Sequence, residues 1–512
     1  VQAFGLALDG EDFDLAVAIG KRSFLVLVRD DTPGLLKRLK RIPLTRLRRQ
    51  PLLILFIAIL HMQSPRGLAA AMLHFRLAEQ LARATEATAS PDDRALMVGV
   101  RSVTMRMQGK FDKAVPVARE FLDRFDRLSP EDQDRLSSVS RHLLWQVAHA
   151  LLFAGDVAGA VGAAQRMLAV PVPPDLGEDR GIHPALTVMA AAQALAGSMT
   201  EARETLDEAV RHPPRASAFH HVWQRTTEAI IRVERGDFGE AATLLDDLDH
   251  DMRAGEYWPV DVVVHAVAAL RDGQVDGAID TIGSVLSRSS PPRQAAVTRD
   301  IVIALYAMLQ LAGRPAGTAA SVLRHVSQPG PLRTLAEALV ALREGEPLKA
   351  VGLTRNALGQ GSVPPRLHAA VLLVRAAAST AAGQADSAAR AARGAFELLA
   401  AHSLATPWLL LTASERAELS LIGRQADLPA GLVASLERMP VLFHDGTTVE
   451  RLTPREQEVL AQLVAGATIP DVARSAGVSP NTVKTQRARI YRKLGVDNRA
   501  DAARVALEHD LI

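Results

Sequence analysis

Gly155-Asp156-Val157-Ala158-Gly159-Ala160 decides the fold, because its outline returns along most of the chain. A glycine, a short polar or small stretch and an alanine five positions on recur at Gly109 to Ala114, Gly197 to Ala202, Gly236 to Ala241, Gly273 to Ala278, Gly345 to Ala350 and Gly383 to Ala388. Gly313 to Thr318 is a degenerate copy, and Gly10 to Ala16 carries one extra residue. From Gly109 to Gly383, with Gly313 included, successive glycines lie 46, 42, 39, 37, 40, 32 and 38 residues apart. Glycine adopts the left-handed conformation that closes a helix. The residue after it, such as Asp156, Ser198 or Asp237, suits the cap of the next helix. The alanine lets the paired helices approach closely. Such helix pairs bury their apolar faces only against neighbours, so they stack into a solenoid. Aromatic residues make up 4% of the chain, which fits packing by small side chains, and no sustained alternation predicts a strand. The expected fold is all-α: an α-solenoid of tetratricopeptide-like helix pairs.

Towards the N-terminus the pattern is less regular. Residues 1–60 read as a helical segment that opens the solenoid, and residues 61–430 as the array. Residues 431–450 read as a linker, and residues 451–512 as a separate C-terminal unit. Leu52 to Leu60 is nine apolar residues flanked by Arg46, Arg48 and Arg49. A bilayer span needs about 20, so this stretch is expected to be a buried helix, with no membrane partner. The basic cluster Lys37 to Arg49 reads as a solvated face.

The C-terminal unit shows its helix starts through caps. Thr453 with Glu456 is a capping box with Pro454 in the first helical position. Thr468 with Asp471 repeats it, and Ser479-Pro480 opens a third helix. Gly466 ends the first helix, Gly477 lies in the turn between the second and third, and Gly495 ends the third. A fourth runs from about Asn498 to His509. The third helix carries five basic residues and no acidic one. At about 100° per residue, Val483, Ile490 and Leu494 share an inner face. Lys484, Thr485, Ala488, Arg489 and Arg492 share the outer one. An apolar anchor under an outward face of Lys, Thr and Arg fits the major-groove element of a helix-turn-helix. The helix start at Ser479 offers backbone N–H groups to a phosphate. Residues 451–512 hold ten Lys/Arg against seven Asp/Glu, net +3. The whole chain is +2, so residues 1–450 carry −1 and the basic excess is local. Phosphate contacts from such a patch supply affinity, and side chains on base edges supply sequence preference.

Leu452-Thr453-Pro454-Arg455-Glu456, Gly466, Ser479 to Lys484 and Ile490-Tyr491-Arg492-Lys493-Leu494-Gly495-Val496 together resemble the LuxR-type four-helix DNA-binding domain. The resemblance implies that the third helix enters the major groove of double-stranded DNA and that the fourth mediates self-association there. Carried over by position, Lys484 and Thr485 are base-side or groove contacts. Ala488 stands where some members place a longer polar residue. Asn481, Thr482 and Arg492 are placed as phosphate partners, and Ala502, Val505 and Ala506 as dimer contacts. The sequence departs from the family at Ile469-Pro470, where Asn-Lys is usual, at Gln486, where His is common, and at Arg487, where an apolar residue is usual. Leu35 to Leu39 through Pro51-Leu52-Leu53 resembles the segment that opens the solenoid of the large ATP-dependent LuxR-type regulators. There an NTPase module precedes a tetratricopeptide-like superhelix and the terminal helix-turn-helix.

Several chemistries are not signalled. Gly20-Lys21 and Gly109-Lys110 lack the glycine spacing and the Ser/Thr of a P-loop. The chain begins with Val, so an upstream NTPase module removed, a non-standard start and a naturally short relative all remain open. Phe24 to Val28 with Asp30-Asp31 imitates a receiver module, but no second strand ending in Asp follows. Cysteine is zero, which excludes disulfides and Cys-ligated zinc and suits the cytoplasm. His220-His221 and His142 with His149 lack metal-site spacing, and no nucleophile elbow occurs. No cofactor, metal or catalytic role is expected. With 51 Arg against 8 Lys and abundant Ala, the composition matches a GC-rich bacterial genome. The expected protein is a cytoplasmic, sequence-specific DNA-binding transcription regulator, an activator. Its solenoid takes a small-molecule or protein effector, with RNA polymerase as a further partner. The alternative is a solenoid scaffold for a protein partner, with the helix-turn-helix as a minor anchor.

Overall fold

The computed structural model describes residues 1–512 apart from 31, 63–66, 86, 88, 172–181, 213–217, 247–257, 271–273, 288–294, 315, 360–362, 424–427, 444, 446–451, 495, 497 and 509–512. Among the described residues there is no strand, and one isolated bridge joins Thr412 to Phe443. The rest is helix upon helix. Pro91–Met107 packs on Phe111–Asp126, Ser137–Phe153 on Val157–Ala169, and Ile182–Ala196 on Met199–Val210. The pairing continues to Pro331–Arg343 on Pro347–Leu358 and Pro365–Ala381 on Ala385–His402. The expected α-solenoid is the observed architecture.

The glycine signal works as its chemistry requires. Gly109, Gly155, Gly197, Gly236, Gly345 and Gly383 all have φ between +70° and +97°. The next residue donates its N–H five positions back: Asp156 to the Leu151 carbonyl at 2.9 Å, Ser198 to Gln193 at 2.9 Å, Gln384 to Ser379 at 2.8 Å. This is the Schellman closure, which satisfies helix-end carbonyls. Ala114, Ala160, Ala202, Ala241, Ala278, Ala350 and Ala388 are all buried between helices. Gly273 lies outside the described residues. Two copies differ from expectation. Gly10 has φ −83°, and Glu11 takes the left-handed position at φ 58°. Gly313 is the last residue of the helix Ala296–Gly313, and the buried small residue after it is Ala319, because Thr318 is exposed. Asp156 caps its helix through the Gly159 N–H at 2.9 Å, whereas Ser198 makes no side-chain cap bond.

Residues 1–60 share one core with the helices that follow: Phe24 packs on His142 with ring centroids 5.1 Å apart, and Leu52 to Leu60 is buried on every side. Two points of organisation differ from expectation. Repeats also meet partners far along the chain. The Glu234 carboxylate accepts hydrogen bonds from Arg366 Nε (3.0 Å), the Ala405 N–H (2.6 Å), and the Thr406 N–H (2.8 Å) and hydroxyl (2.6 Å). A carboxylate buried this deeply needs such donors, so contacts span more than nearest neighbours. Finally, the expected linker is core up to Phe443: Leu432, Leu436, Met439, Leu442 and Phe443 are buried. Burial pushes the Arg416 guanidinium down to about 10 while it donates to the Met439 and Pro440 carbonyls at 2.8 and 2.7 Å. Apolar side chains at 432, 436, 439, 442 and 443 overrode the loop reading. The helix Ala296–Gly313 is long and apolar enough to cross a membrane by length and composition, and half of it is buried inside the fold.

Candidate nucleic-acid interface

The C-terminal helices are Pro454–Val464, Ile469–Ala476, Pro480–Leu494 and Arg499–Glu508. Both capping boxes form: Thr453 accepts from the Glu456 N–H while Glu456 accepts from the Thr453 N–H, and Thr468 and Asp471 do the same. Ser479 Oγ accepts from the Thr482 N–H at 3.1 Å, the third cap. Gly477, φ 66°, makes the turn between the second and third helices. Arg455 fixes that turn by donating to the Ala476 carbonyl at 3.0 Å.

Val483, Ile490 and Leu494 seat the third helix on a core with Leu452, Val459, Leu460, Leu463, Val472 and Ala473. Ser479, Asn481, Thr482, Lys484, Thr485, Ala488 and Arg489 are all exposed. The side chain of Arg492 lies outside the described set. Thr485 turns its hydroxyl onto the Asn481 carbonyl at 3.0 Å, so it presents a methyl group and acceptor lone pairs. The five cations of this helix are not equivalent. Lys493 is buried and pairs with Glu456 at 2.8 Å. Arg489 places its Nε 3.7 Å from the same carboxylate while most of its side chain stays in solvent. Arg487 lays its guanidinium over the Tyr491 ring, 5.8 Å from the centroid, so its charge rests on the aromatic face. Burial pushes the Glu456 carboxyl up. The Lys493 ammonium and the Thr453 bonds outweigh it and hold the group below the usual carboxylate range.

Residues 450–506 match the family model of bacterial regulatory proteins of the luxR family. The C-terminal unit is a LuxR-type helix-turn-helix domain. This chain is 44% identical over 61 residues to a probable transcriptional regulatory protein NarL of Mycobacterium tuberculosis (12% of this chain, 28% of that protein). It is 48% identical over 62 residues to a probable transcriptional regulatory protein SgaR of Hyphomicrobium methylovorum (12% and 28%). The chain thus spans little more than a quarter of the length of the curated relatives it matches. Among solved structures, the crystal structure of the APC/C hetero-tetramer Cut9-Hcn1 overlaps at TM-score 0.39 and 14% identity, covering 86% of this chain and 92% of that one. The α-solenoid description rests on the helix-pair packing itself.

Within the LuxR-type domain, two expected dimer contacts are corrected. Ala502 and Ala506 are 1% and 0% exposed, packed into the domain's own core, and have no surface left for a second copy. Their small size is what lets the last helix lie against the first. The side chain of Val505 is outside the described set. Sequence reading missed the Glu456–Lys493 pair. Its signal was half visible, since Glu456 was recognised as the capping-box acid, but nothing local links it to a lysine 37 residues on. Among the described histidines, His149 Nε2 accepts the indole N–H of Trp223, His183 and His221 meet edge to face, and His212 and His265 face Glu208 and Asp246.

Proposed function

We propose that this protein is a sequence-specific DNA-binding transcription regulator, an activator acting in the cytoplasm. The observation that carries the reading is the exposed face of Pro480–Leu494 in a LuxR-type domain, held outward by buried Val483, Ile490 and Leu494. Lys484 and Thr485 read base edges, Ala488 offers an apolar contact, and Ser479, Asn481, Thr482, Arg489 and Arg492 position the backbone. The solenoid receives a small-molecule or protein effector. A cavity of about 570 Å³, lined by apolar Val17, Leu52, Leu96 and Val100 together with charged Lys21, Arg49, Asp93 and Arg135, supports that part. Self-association raises occupancy through avidity, and contact with RNA polymerase turns occupancy into activation.

Fluorescence anisotropy of the full chain on upstream duplexes tests the reading. Affinity exceeds that for random duplex and falls with salt, and Lys484→Ala costs about 1–3 kcal/mol, roughly 5- to 150-fold. Equal binding to every duplex, unchanged by Lys484→Ala, refutes it in favour of a scaffold.

A further inference from the structure

Ion pairs between neighbouring repeats run along the array. Arg119 reaches Asp156 at 2.6 Å, Arg166 reaches Asp126 at 2.6 Å and Arg314 reaches Asp276 at 2.9 Å. The first pair has a fixed place in the repeat: Arg119 stands ten residues after Gly109, and Asp156 one residue after Gly155. In a later pair of repeats the same register gives Arg355, ten after Gly345, and Gln384, one after Gly383. The carboxylate is missing there. Instead, Arg355, Arg375 and Arg390 converge on a cavity of about 300 Å³ between the helices Pro347–Leu358, Pro365–Ala381 and Ala385–His402. Ser387 and the apolar Val351, Leu372 and Ala391 complete the lining, and no acidic residue contributes. Among the described residues none of the three guanidiniums has an ion-pair partner.

Arg375 is the centre of the cluster. It is half-buried, and its Nε donates to Thr354 Oγ1 at 3.4 Å, leaving both terminal nitrogens as donors. Burial pushes its guanidinium down and the neighbouring Arg355 adds to that, while Arg375 in turn holds His368 below its usual value, after burial. Three like charges at one recess repel one another. Planar forks of N–H donors match the oxygens of phosphate, two bonds at a time.

We propose that Arg355, Arg375 and Arg390 form a binding site for a small phosphate-bearing anion. The volume is at the lower end of small-ligand cavities, about 300–1,000 Å³, and suits one or two phosphoryl groups. The recess is open to solvent at Arg355 and Arg390, and its small volume favours a small anion over a nucleic-acid backbone. The site goes beyond the DNA-binding reading and does not depend on it.

Isothermal titration of the full chain with inorganic pyrophosphate, at constant ionic strength, tests the proposal. Saturable binding near one site per chain is expected, with inorganic phosphate weaker. Arg375→Gln should weaken pyrophosphate at least tenfold, and so should Arg390→Gln, whose exposed side chain leaves folding intact. Arg393→Gln on the same helix should change nothing. Heat that sodium chloride reproduces, or binding that survives Arg355→Gln/Arg390→Gln, overturns the site. Loss of duplex affinity in that double variant with no pyrophosphate binding assigns the cluster to a nucleic-acid backbone and also overturns it.

Discussion

Glu456→Gln tests the internal support of the helix Pro480–Leu494. Glutamine keeps the length and the capping geometry, so the first helix retains its cap. What is lost is the charge opposite Lys493. Both side chains are almost inaccessible, 8% and 6% exposed, at 2.8 Å. The pair therefore falls under the rule for buried ion pairs, where removing one partner costs about 3–5 kcal/mol, and not under the 0–1 kcal/mol of surface pairs. At about 0.05–0.15 kcal/mol per residue, a unit of this size holds roughly 3–9 kcal/mol, so the loss takes most of it. The four tryptophans, Trp145, Trp223, Trp258 and Trp408, all lie in the solenoid, so their fluorescence should not report the change. Hydrogen exchange by mass spectrometry should, with peptides within 454–508 losing about two or more decades of protection while solenoid peptides keep theirs. Glu456→Gln/Lys493→Met should recover most of the loss, since an apolar replacement needs no counter-charge. The wild-type contribution also depends on pH. The folded carboxyl is depressed, so its stabilisation is complete above the unfolded value near about 4.3 and fades as pH falls through the folded value. The double variant should lose that dependence. Protection in Glu456→Gln within a factor of about three of wild type would refute the reasoning, because the pair would then be worth no more than a surface contact.

Three further outcomes follow from particular positions. Gly197→Ala must place a Cβ 2.6 Å from the Arg366 Cβ at φ +97°, whereas Gly383→Ala at φ +70° meets nothing within 4 Å. Urea unfolding followed by tryptophan fluorescence should show about 1–2 kcal/mol for Gly383→Ala from backbone strain and a further 1–3 kcal/mol for Gly197→Ala. Ala506→Asp should unfold the LuxR-type domain by burying a carboxylate without a partner. If exchange stays protected and sedimentation alone changes, Ala506 is an interface residue after all. Lys484→Ala should narrow the gap between specific and random duplex by about 1–3 kcal/mol, as loss of a base contact does, while Glu456→Gln/Lys493→Met should leave that gap unchanged.

The parts of this molecule that were legible in sequence are those fixed within about six residues. A left-handed glycine, the amide that bonds back over it and the alanine behind them all lie in one short window, so each repeat announces its turn. The capping boxes at Thr453 and Thr468 are local in the same way. Where a neighbour along the chain is not the neighbour in space, reading failed. Nothing near Glu234 announces Arg366 or Thr406, and nothing near Glu456 announces Lys493. The linker reading failed differently. Residues 431–443 lack the glycine turn of the repeats, but their apolar side chains had a core to fill. At Ala502 and Ala506, placement by resemblance put on the surface what packing had already used.

The same distinction changes the count of charges on the helix Pro480–Leu494. Its five basic residues look interchangeable in sequence, and all would count towards phosphate binding. In the folded domain Lys493 is spent inside, Arg489 is shared with Glu456, and Arg487 rests on Tyr491. Lys484 has no described ion-pair partner and sits beside Thr485 at the exposed start of the helix. Charge that holds a helix in place cannot also pay for a counterion released from DNA. The basic run is thus divided: Lys493 is held inside by the Glu456 carboxylate, Arg487 lies on the Tyr491 ring, and Lys484 stays in solvent.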